Sequence, residues 1–335
     1  MINKKFPFNV FLSVTNRCNF NCTYCYGEYS KRNNFEEFTT REIIDILDEL
    51  KKLGTVLLQI QGGEPLIRND IREILLYASK LKFNLDLITN GTLISKNIDA
   101  IKCLDSICIS LDGREKTNDK NRGAGSFYKI IDGIKTCREL KLTTRINSVI
   151  TTDTEIEDIN FLAEFSKKNK CLLNFGTAFD FQPITLTNNY DCLNYDRNHY
   201  NSIIDRILYY KDKKYPVQFT KEAYNTAKNW PFPLKKFFIL ENEIPENYKY
   251  YRCYHGEYVC FIDGDGRMYP CCNFWNKYEN INVRKSGFKK GWEKISRNNC
   301  AACYNFSYVD RNQIINFKSS AFINYVKNYI YDLKG

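Results

Sequence analysis

Short apolar runs alternate with helical patterns over roughly the first 180 residues of this 335-residue chain. The apolar runs fall at residues 8–14, 55–60, 85–88, 106–111, 145–150 and 171–175. Between them, segments 40–53, 70–81, 127–140 and 156–168 repeat apolar residues at helical spacing, and Thr39 or Thr40 is a plausible cap for the first. Strands that alternate with helices form βα units, so this order predicts an α/β fold around a parallel sheet.

Three cysteines follow the first predicted strand with the spacing C-x3-C-x2-C: Cys18, Cys22 and Cys25. Thiolates this close together can wrap one small soft-metal centre. A [4Fe–4S] cluster has four irons, so three protein thiolates leave one iron open to a non-protein ligand. A closed zinc site needs four ligands, and the two histidines, His199 and His255, are far away in sequence. The triplet therefore predicts a cluster with one open iron.

A second motif, Gly62-Gly63-Glu64-Pro65, follows the next apolar run. Two glycines let the backbone approach a ligand closely, and a carboxylate beside them suits an ammonium group. A Gly-Gly pair before Pro is by itself mostly a turn. Its place directly after a predicted strand, and after the three cysteines, makes it more specific.

Together the two motifs resemble the radical S-adenosylmethionine (radical SAM) superfamily. The resemblance implies a partial (β/α)6 barrel with its ligands at the carboxyl ends of the strands. It also implies that the cluster cleaves SAM reductively and that a 5′-deoxyadenosyl radical removes a hydrogen atom from the substrate. By the same resemblance, Gly62, Gly63, Glu64 and Pro65 meet the amino group of the methionine moiety, and Tyr24 flanks the adenine.

Further SAM contacts are implied at other predicted strand ends. Ser110 and Asp112, within Ser110-Leu111-Asp112-Gly113, resemble the family's segment near the SAM ribose. Arg145 is placed like the arginine that meets the SAM carboxylate, a group that a bidentate guanidinium suits. Weaker candidates for lining the pocket are Gln61, Thr89 and Asn90. Each of these residues also fits an ordinary role in closing the end of a strand.

Six more cysteines form a C-terminal group: Cys253, Cys260, Cys271, Cys272, Cys300 and Cys303. Asp263-Gly264-Asp265-Gly266 lies between two β-prone runs and predicts a hairpin turn that brings Cys253 and Cys271 towards each other. Cys300-x2-Cys303 supplies a chelating pair. Four thiolates are sufficient for a fully ligated cluster or for a structural zinc.

This C-terminal segment resembles the auxiliary-cluster domains of the same superfamily. Gly266-x4-Cys271 matches the G-x4-C of the SPASM domain, and only Cys300 and Cys303 follow it. The match is therefore nearer to the shortened twitch form, with a single auxiliary [4Fe–4S] cluster. The implied ligands are Cys253, Cys271, Cys300 and Cys303, with Cys260 and Cys272 as substitutes for one of them.

Cysteines left over from that cluster have two readings. Cys260 or Cys272 would be a hydrogen-atom donor, as in some radical SAM peptide epimerases, or a small buried hydrophobe, which free cysteines usually are. We expect core positions for Cys103, Cys108, Cys137 and Cys171. The sequence assigns no role to Cys192.

These features predict three parts: a radical SAM core at 1–180, an aromatic-rich segment at 181–250, and a small α+β auxiliary-cluster domain at 251–335. The middle segment contains prolines from Pro183 to Pro245 and one helical pattern at 200–213. It is either a linker with surface helices or a wall of the substrate chamber.

Composition limits the compartment and the partners. The chain has no signal-peptide pattern and no apolar stretch of membrane-spanning length, so we expect a cytoplasmic protein with reduced or metal-bound thiols. Its formal charge of +10 comes from scattered Lys and Arg, so nucleic acid is not an expected partner. A basic surface also suits an acidic peptide or a phosphorylated substrate.

The substrate is open between two hypotheses. The first is a ribosomally made peptide modified at an unactivated C–H bond by cross-linking, dehydrogenation or epimerisation. No leader-binding domain is expected, because the barrel begins close to residue 1. The second is a small molecule, such as a sugar, aminocyclitol or nucleoside, that is dehydrogenated or epimerised. Either would need a reducing partner such as flavodoxin or ferredoxin. A non-enzymatic iron–sulfur electron carrier explains the cysteines but not Gly62-Gly63-Glu64-Pro65.

Overall fold

The computed structural model describes residues 5–27, 29, 36–178, 194–274, 281–296 and 299–333. The strands are β1 (Asn9–Ser13), β2 (Leu57–Gln61), β3 (Asn84–Thr89), β4 (Ser106–Ser110), β5 (Thr143–Ile150), β6 (Leu172–Thr177), β7 (Phe238–Leu240), β8 (Val259–Ile262), β9 (Arg267–Tyr269), β10 (Ile281–Asn282) and β11 (Cys300–Cys303). The helices are α1 (Thr40–Lys52), α2 (Ile71–Lys80), α3 (Ile98–Ile101), α4 (Glu115–Arg122), α5 (Ser126–Glu139), α6 (Ile156–Lys168), α7 (Arg197–Asp212), α8 (Lys221–Lys228), α9 (Val283–Ser286), α10 (Phe288–Lys294), α11 (Phe306–Ile315) and α12 (Ser319–Leu333).

Strands β1 to β6 lie side by side in chain order, and each pairs in parallel with the next. This arrangement confirms the predicted partial (β/α)6 architecture. Helix α1 shows why the pattern was readable: its buried side chains recur at helical spacing, and Thr39 closes a capping box with Glu42. Each predicted strand and helix of the first 180 residues is present, with small differences at its ends.

The two faces of the sheet differ in chemistry. On β4, Ile107 and Ile109 belong to the apolar core shared with the helices. Ser106, Cys108 and Ser110 point to the opposite face, because successive strand residues alternate. We call this opposite face the inner face. In register across it, Ser110 is followed by Asn147 on β5 and Asn174 on β6, so this row of the inner face is polar.

The C-terminal part extends the same sheet. Strand β8 pairs in parallel with β1, and β9 pairs with β8 in the hairpin predicted at Asp263–Gly266. Gly266 has a φ of 87°, which glycine adopts without strain. Strands β7 and β11 form a separate antiparallel pair, and α11 packs against α8 and β6. The pairing of β1 with β8 joins the predicted first and third parts in one sheet. The division into three parts at residues 180 and 250 stays a prediction.

Other sequence expectations fall on various parts of the fold. The helix predicted at 200–213 is α7. Cys108, Cys137 and Cys171 are buried, whereas Cys103 is partly exposed. Pro183 and Cys192 lie outside the described residues. Within the described chain, no helix has the length and apolar character needed to cross a membrane.

Candidate active site

The cysteine loop leaves the carboxyl end of β1 and packs directly on the Gly62-Gly63 turn. The amide of Gly63 donates to the carbonyl of Thr15 at 3.0 Å, and the amide of Glu64 donates to the carbonyl of Arg17 at 2.9 Å. A Cβ atom at Gly63 would lie 2.3 Å from the Arg17 carbonyl oxygen. The contacts therefore show a different reason for the glycines from the one predicted: they let two loops touch backbone to backbone.

Glu64 joins the ends of β2 and β3. Its side chain is fully buried and accepts hydrogen bonds from the Leu66 amide, the Thr89 hydroxyl and the Asn90 amide at 2.7–3.0 Å. Burial raises the pKa of this carboxyl, and the three hydrogen bonds oppose that rise. The expected contact between Glu64 and the methionine ammonium is therefore not what its position favours. Glu64 instead braces the turn, and Pro65 begins the short 3₁₀ segment that follows it.

Tyr24, Asp112 and Arg122 form a buried cluster beside the cysteine loop. The Tyr24 hydroxyl donates to Asp112 Oδ2 at 2.6 Å, and Arg122 Nη2 donates to Asp112 Oδ1 at 2.8 Å. The Arg122 guanidinium lies 5.5 Å from the centre of the Tyr24 ring. Asp112 therefore orients both the aromatic ring and the cation, whereas the sequence had placed it near the SAM ribose.

Arg122 also acts on the cysteine thiols. Burial raises the pKa of Cys18 to about 11 and that of Cys22 to about 12, and the positive charge of Arg122 opposes both rises. Within the described residues, the buried Nε atom of Arg122 has no hydrogen-bond partner. An orphaned donor and partly exposed thiols on one loop fit an anionic ligand beside a three-thiolate cluster.

Arg145 occupies a different place from the one expected. It forms an ion pair with Asp86 on β3, and Asp86 also accepts a hydrogen bond from Ser106 at 2.7 Å. Arg145 lies next to Cys108 in the strand register, one inner-face row below Ser110 and Asn147. A buried carboxylate therefore already engages Arg145 in this structure, and its contact with the SAM carboxylate stays a prediction. Gln61, in the same row, donates to Ser13 Oγ at 3.4 Å.

The four C-terminal cysteines predicted as ligands lie near enough to one another to interact electrostatically. Burial raises the pKa of the Cys271 thiol well above its ordinary value, and so do the neighbouring thiols of Cys272, Cys300, Cys253 and Cys303. Cys303 is affected in the same way by Cys253, Cys300 and Cys272. Cys272 is turned towards Tyr308, whose hydroxyl is hydrogen-bonded to its sulfur. Four buried soft donors fit a fully ligated cluster.

Neither thiol set is closed in advance. Among the residues that the structure describes, no three Cys, His, Asp or Glu side chains are gathered closely enough to hold a metal ion. Each set would therefore close as its metal group binds, which couples metal binding to local folding.

Cys260 does not join this group. It is fully buried in the helix-facing core, in register with Val10, and Lys5 is its charged neighbour. The inner face, where a substrate would lie, is on the other side of β8. This position favours the core role for Cys260 over the hydrogen-atom donor and substitute-ligand roles, which stay predictions.

An aromatic bridge, made of Phe11, Tyr26, Phe261 and Tyr269, connects the two thiol sets. Phe11 stacks on Phe261 with ring centres 4.2 Å apart, and Phe261 stacks on Tyr269 at 5.9 Å. Tyr26, adjacent to Cys25 in sequence, packs on the same cluster, which also contains Cys271, Cys272, Cys300 and Cys303. Burial, Tyr29 and then the Cys272 thiol raise the pKa of Tyr26.

Several residues of this region gave no sequence signal. Arg122 is on the short polar helix α4, and Asn147 and Asn174 are single amides inside strands. His255, in the segment before β8, lies beside Cys253, and Tyr308 on α11 lies beside Cys272. Arg311, also on α11, lies beside His255. Their proximity depends on how distant segments pack, which no local spacing reports.

Comparison with known proteins identifies relatives on both sequence and structure. A family profile described as the Radical SAM superfamily matches residues 12–165. The chain is also similar to the protein named Fe-coproporphyrin III synthase of Methanosarcina barkeri (strain Fusaro / DSM 804). That match has 26% identity over 300 residues and covers 85% of this chain and 73% of the relative.

Two solved structures share the fold. Streptococcus suis SuiB, bound to the precursor peptide SuiA, matches with a TM-score of 0.66 at 20% identity, covering 86% of this chain and 65% of SuiB. Native anSMEcpe, with bound AdoMet and Cp18Cys peptide, matches with a TM-score of 0.62 at 16% identity, covering 98% of this chain and 96% of anSMEcpe. The chain thus spans about two thirds of SuiB and nearly all of anSMEcpe.

Proposed function

Because the chain belongs to the radical SAM superfamily and is an enzyme that uses a [4Fe–4S] cluster and SAM, we propose that it modifies an unactivated C–H bond of a ribosomally made peptide. The product would be a cross-linked, dehydrogenated or epimerised peptide. The observation that carries the proposal is the aromatic bridge, whose cluster contains Cys271, Cys300 and Cys303 and is contacted by Tyr26, the residue that follows Cys25.

The residues around the N-terminal thiols would hold SAM. When bound, the cluster and SAM supply a 5′-deoxyadenosyl radical that removes a hydrogen atom from the substrate. Cys18, Cys22 and Cys25 would hold the cluster, and the orphaned Nε of Arg122 would donate to a SAM oxygen. Tyr24, fixed by Asp112, would present its ring to the adenine. Because Asp112 is fully buried, this support is shielded from water.

The inner face offers groups that suit a peptide backbone. Ser110, at the carboxyl end of β4, lies in register with Asn147 within β5 and Asn174 within β6. The buried Oδ1 atom of Asn174 has no hydrogen-bond partner among the described residues. Amide and hydroxyl groups in a row match the alternating donors and acceptors of a peptide. The peptides bound to SuiB and anSMEcpe support the same substrate class.

The C-terminal thiols would hold an auxiliary [4Fe–4S] cluster through Cys253, Cys271, Cys300 and Cys303. Such a cluster, when bound, accepts or supplies an electron on the substrate side of the reaction. The aromatic bridge belongs to the same side-chain cluster as Cys271, Cys300 and Cys303. A flavodoxin or ferredoxin would reduce the N-terminal cluster.

Cys272 is proposed as the hydrogen-atom donor if the outcome is epimerisation. It belongs to the same buried cluster as the aromatic bridge, and Tyr308 fixes the orientation of its sulfur. We expect Cys272→Ala to cleave SAM but to leave the epimerised product unformed in deuterated solvent. Cys260→Ala is the matched control, because Cys260 is buried on the other face of the sheet, and it should turn over normally. Full turnover by Cys272→Ala would contradict the assignment.

A second candidate is dehydrogenation or epimerisation of a small molecule such as a sugar, aminocyclitol or nucleoside. The similarity to a protein named Fe-coproporphyrin III synthase favours it, since that name denotes a small-molecule product. The polar row of Ser110, Asn147 and Asn174 also suits hydroxyl-rich ligands.

Substrate-dependent turnover tests these candidates. Anaerobically reconstituted protein would be incubated with SAM, dithionite and either candidate peptides or small molecules, and the products analysed by mass spectrometry. Loss of two hydrogens indicates dehydrogenation or cross-linking, and gain of one deuterium in deuterated water indicates epimerisation. Modification of a peptide supports the proposal, and modification of small molecules alone supports the alternative. Reversible cluster reduction without any 5′-deoxyadenosine would contradict both and indicate an electron carrier.

A further inference from the structure

A buried histidine and a partly buried arginine lie in line behind one of the proposed auxiliary-cluster ligands. His255 is 1% exposed, and its Nδ1 atom lies 3.5 Å from Cys253 Sγ. Its Nε2 atom lies 3.3 Å from Arg311 Nη1. We infer that Arg311 and His255 form a hydrogen-bond relay onto the Cys253 thiolate that raises the reduction potential of the auxiliary cluster. This inference rests on the auxiliary-cluster part of the proposed function.

The direction of the relay follows from its first member. A guanidinium has only donors, so Nε2 of His255 must accept the hydrogen bond from Arg311. The imidazole is then neutral and carries its proton on Nδ1, which faces Cys253. A ligating thiolate accepts from that N–H, because it has no proton to donate. Arg311 therefore selects the tautomer that donates to the cluster ligand.

Packing on both sides holds the relay in place. The His255 ring is centred 4.1 Å from the ring of Tyr308, and the Arg311 guanidinium lies 5.6 Å from the ring of Phe11 in the aromatic bridge. Arg311 reaches this position from α11, whereas Phe11 is on β1. The relay therefore depends on the packing of α11 beside the first strand of the barrel.

The charge of Arg311 also requires an anion nearby. Over the part of the chain that the structure describes, Arg311 forms no ion pair with a carboxylate. The carboxylate next to it in sequence, Asp310, accepts instead from the Thr220 amide at 2.8 Å. A guanidinium drawn partly out of water without an ion pair carries a desolvation cost, which the more distant charge of Asp310 only partly offsets. Four thiolates around a [4Fe–4S] cluster carry a net negative charge, which would compensate it.

The expected consequence is a higher reduction potential. One-electron reduction adds one negative charge to the cluster, so a donated hydrogen bond and a nearby cation stabilise the reduced form more than the oxidised form. In the proposed reaction that electron comes from the substrate radical. Removing the relay should therefore make the cluster a weaker acceptor.

A redox titration in a background without the N-terminal cluster tests the relay. In full-length protein carrying Cys18→Ala, Cys22→Ala and Cys25→Ala, only the auxiliary cluster contributes to the paramagnetic resonance of the reduced state. We expect His255→Phe to lower the ratio of reduced to oxidised cluster about tenfold at a fixed ambient potential, equivalent to about 59 mV for a one-electron couple. His255→Asn, whose side-chain amide can replace the Nδ1–H, should retain most of the original ratio. An unchanged ratio in His255→Phe would overturn the inference.

A double-mutant cycle separates the relay from a simple charge effect. Arg311→Met alone should also lower the potential, but in the His255→Phe background it should cause no further change. Additive shifts would show that Arg311 acts through space, and the relay would be wrong. The chain has two histidines, so His199→Phe is the matched control and should leave the potential unchanged. With ¹⁵N-labelled histidine, a nitrogen coupling to the reduced cluster should be present and should disappear in His255→Phe.

Iron analysis distinguishes failure of the inference from failure of the proposed function. About four irons per chain in the triple-alanine background, with unchanged potentials in the relay variants, would overturn the relay alone. Absence of iron from that background would overturn the auxiliary cluster and the relay together.

Discussion

The two thiol sets of this chain differ in how far the protein closes around them. Cys18, Cys22 and Cys25, which we call the open set, lie on one loop and are all partly exposed. The four C-terminal cysteines Cys253, Cys271, Cys300 and Cys303, which we call the enclosed set, come from separated segments. None of them is more than 9% exposed. A centre that binds and releases a co-substrate needs an open side, whereas a centre that only exchanges electrons can be enclosed. The difference in burial therefore matches the difference in proposed roles.

Their electrostatic surroundings differ as well. Near the N-terminal set, Arg122 offsets part of the rise in pKa that burial causes for Cys18 and Cys22. In the C-terminal set, burial and the other thiols together raise the pKa values of Cys271 and Cys303 well above normal. In Cys271 and Cys303, therefore, both burial and the other thiols disfavour the thiolate form, and metal binding would oppose them.

Removing the N-terminal thiols gives the largest expected effect. The triple variant Cys18→Ala, Cys22→Ala, Cys25→Ala should lose SAM cleavage completely, because no other described thiols lie on the open loop. Iron should fall from about eight to about four per chain, the content of one cluster. Formation of 5′-deoxyadenosine and iron content are the measurements. Retained cleavage would show that the comparison assigns the wrong set to SAM.

Removing the C-terminal pair should separate the two roles. Cys300→Ala with Cys303→Ala should also halve the iron but spare reductive cleavage of SAM, since the open set is intact. Product formation should stop, because the substrate-side electron has no acceptor. Anaerobic assays of 5′-deoxyadenosine and product on the same sample test this. If the variant lost both activities while remaining folded, the sets would not be functionally separate.

The sequence predicted the open set and its scaffold well because the signals are local. The alternation of apolar runs with helical patterns gave β1 to β6 in order, and the cysteine spacing needed no partner from elsewhere. The capping box of α1 is also local, since Thr39 and Glu42 are one helical turn apart.

The enclosed set was only partly predictable, because its shape depends on long-range packing. The hairpin at Asp263–Gly266 could be inferred from its turn residues, but the parallel pairing of β8 with β1 could not. That pairing decides which side of β8 faces the substrate, and so it separates Cys260 from Cys272. The partner of Arg145 was unpredictable for a related reason: nothing near Arg145 in sequence indicates its ion pair with Asp86, a residue two strands away.

Two arginines that pair with buried carboxylates can be compared to test which of them contributes to SAM binding at the open set. Arg122→Gln removes the partner of Asp112, and Arg145→Gln removes the partner of Asp86. Both should lower the melting temperature, because each leaves a buried carboxylate without its cation. Only Arg122→Gln should weaken SAM binding, by about tenfold or about 1.4 kcal/mol. Calorimetry on anaerobic holoenzyme measures both affinities. A loss of affinity confined to Arg145→Gln would restore the role first expected for Arg145.

The smallest expected effect is on thiol reactivity in the metal-free protein. Because their side chains are partly exposed, Cys18, Cys22 and Cys25 should be alkylated by iodoacetamide several-fold faster than the four enclosed cysteines. Peptide mapping by mass spectrometry gives the rate at each cysteine, and fully buried Cys260 is an internal reference for an unreactive thiol. Equal rates for the two sets would show that the enclosed set opens readily without metal. In that case the difference between the sets would arise from metal binding itself, and the fold alone would not create it.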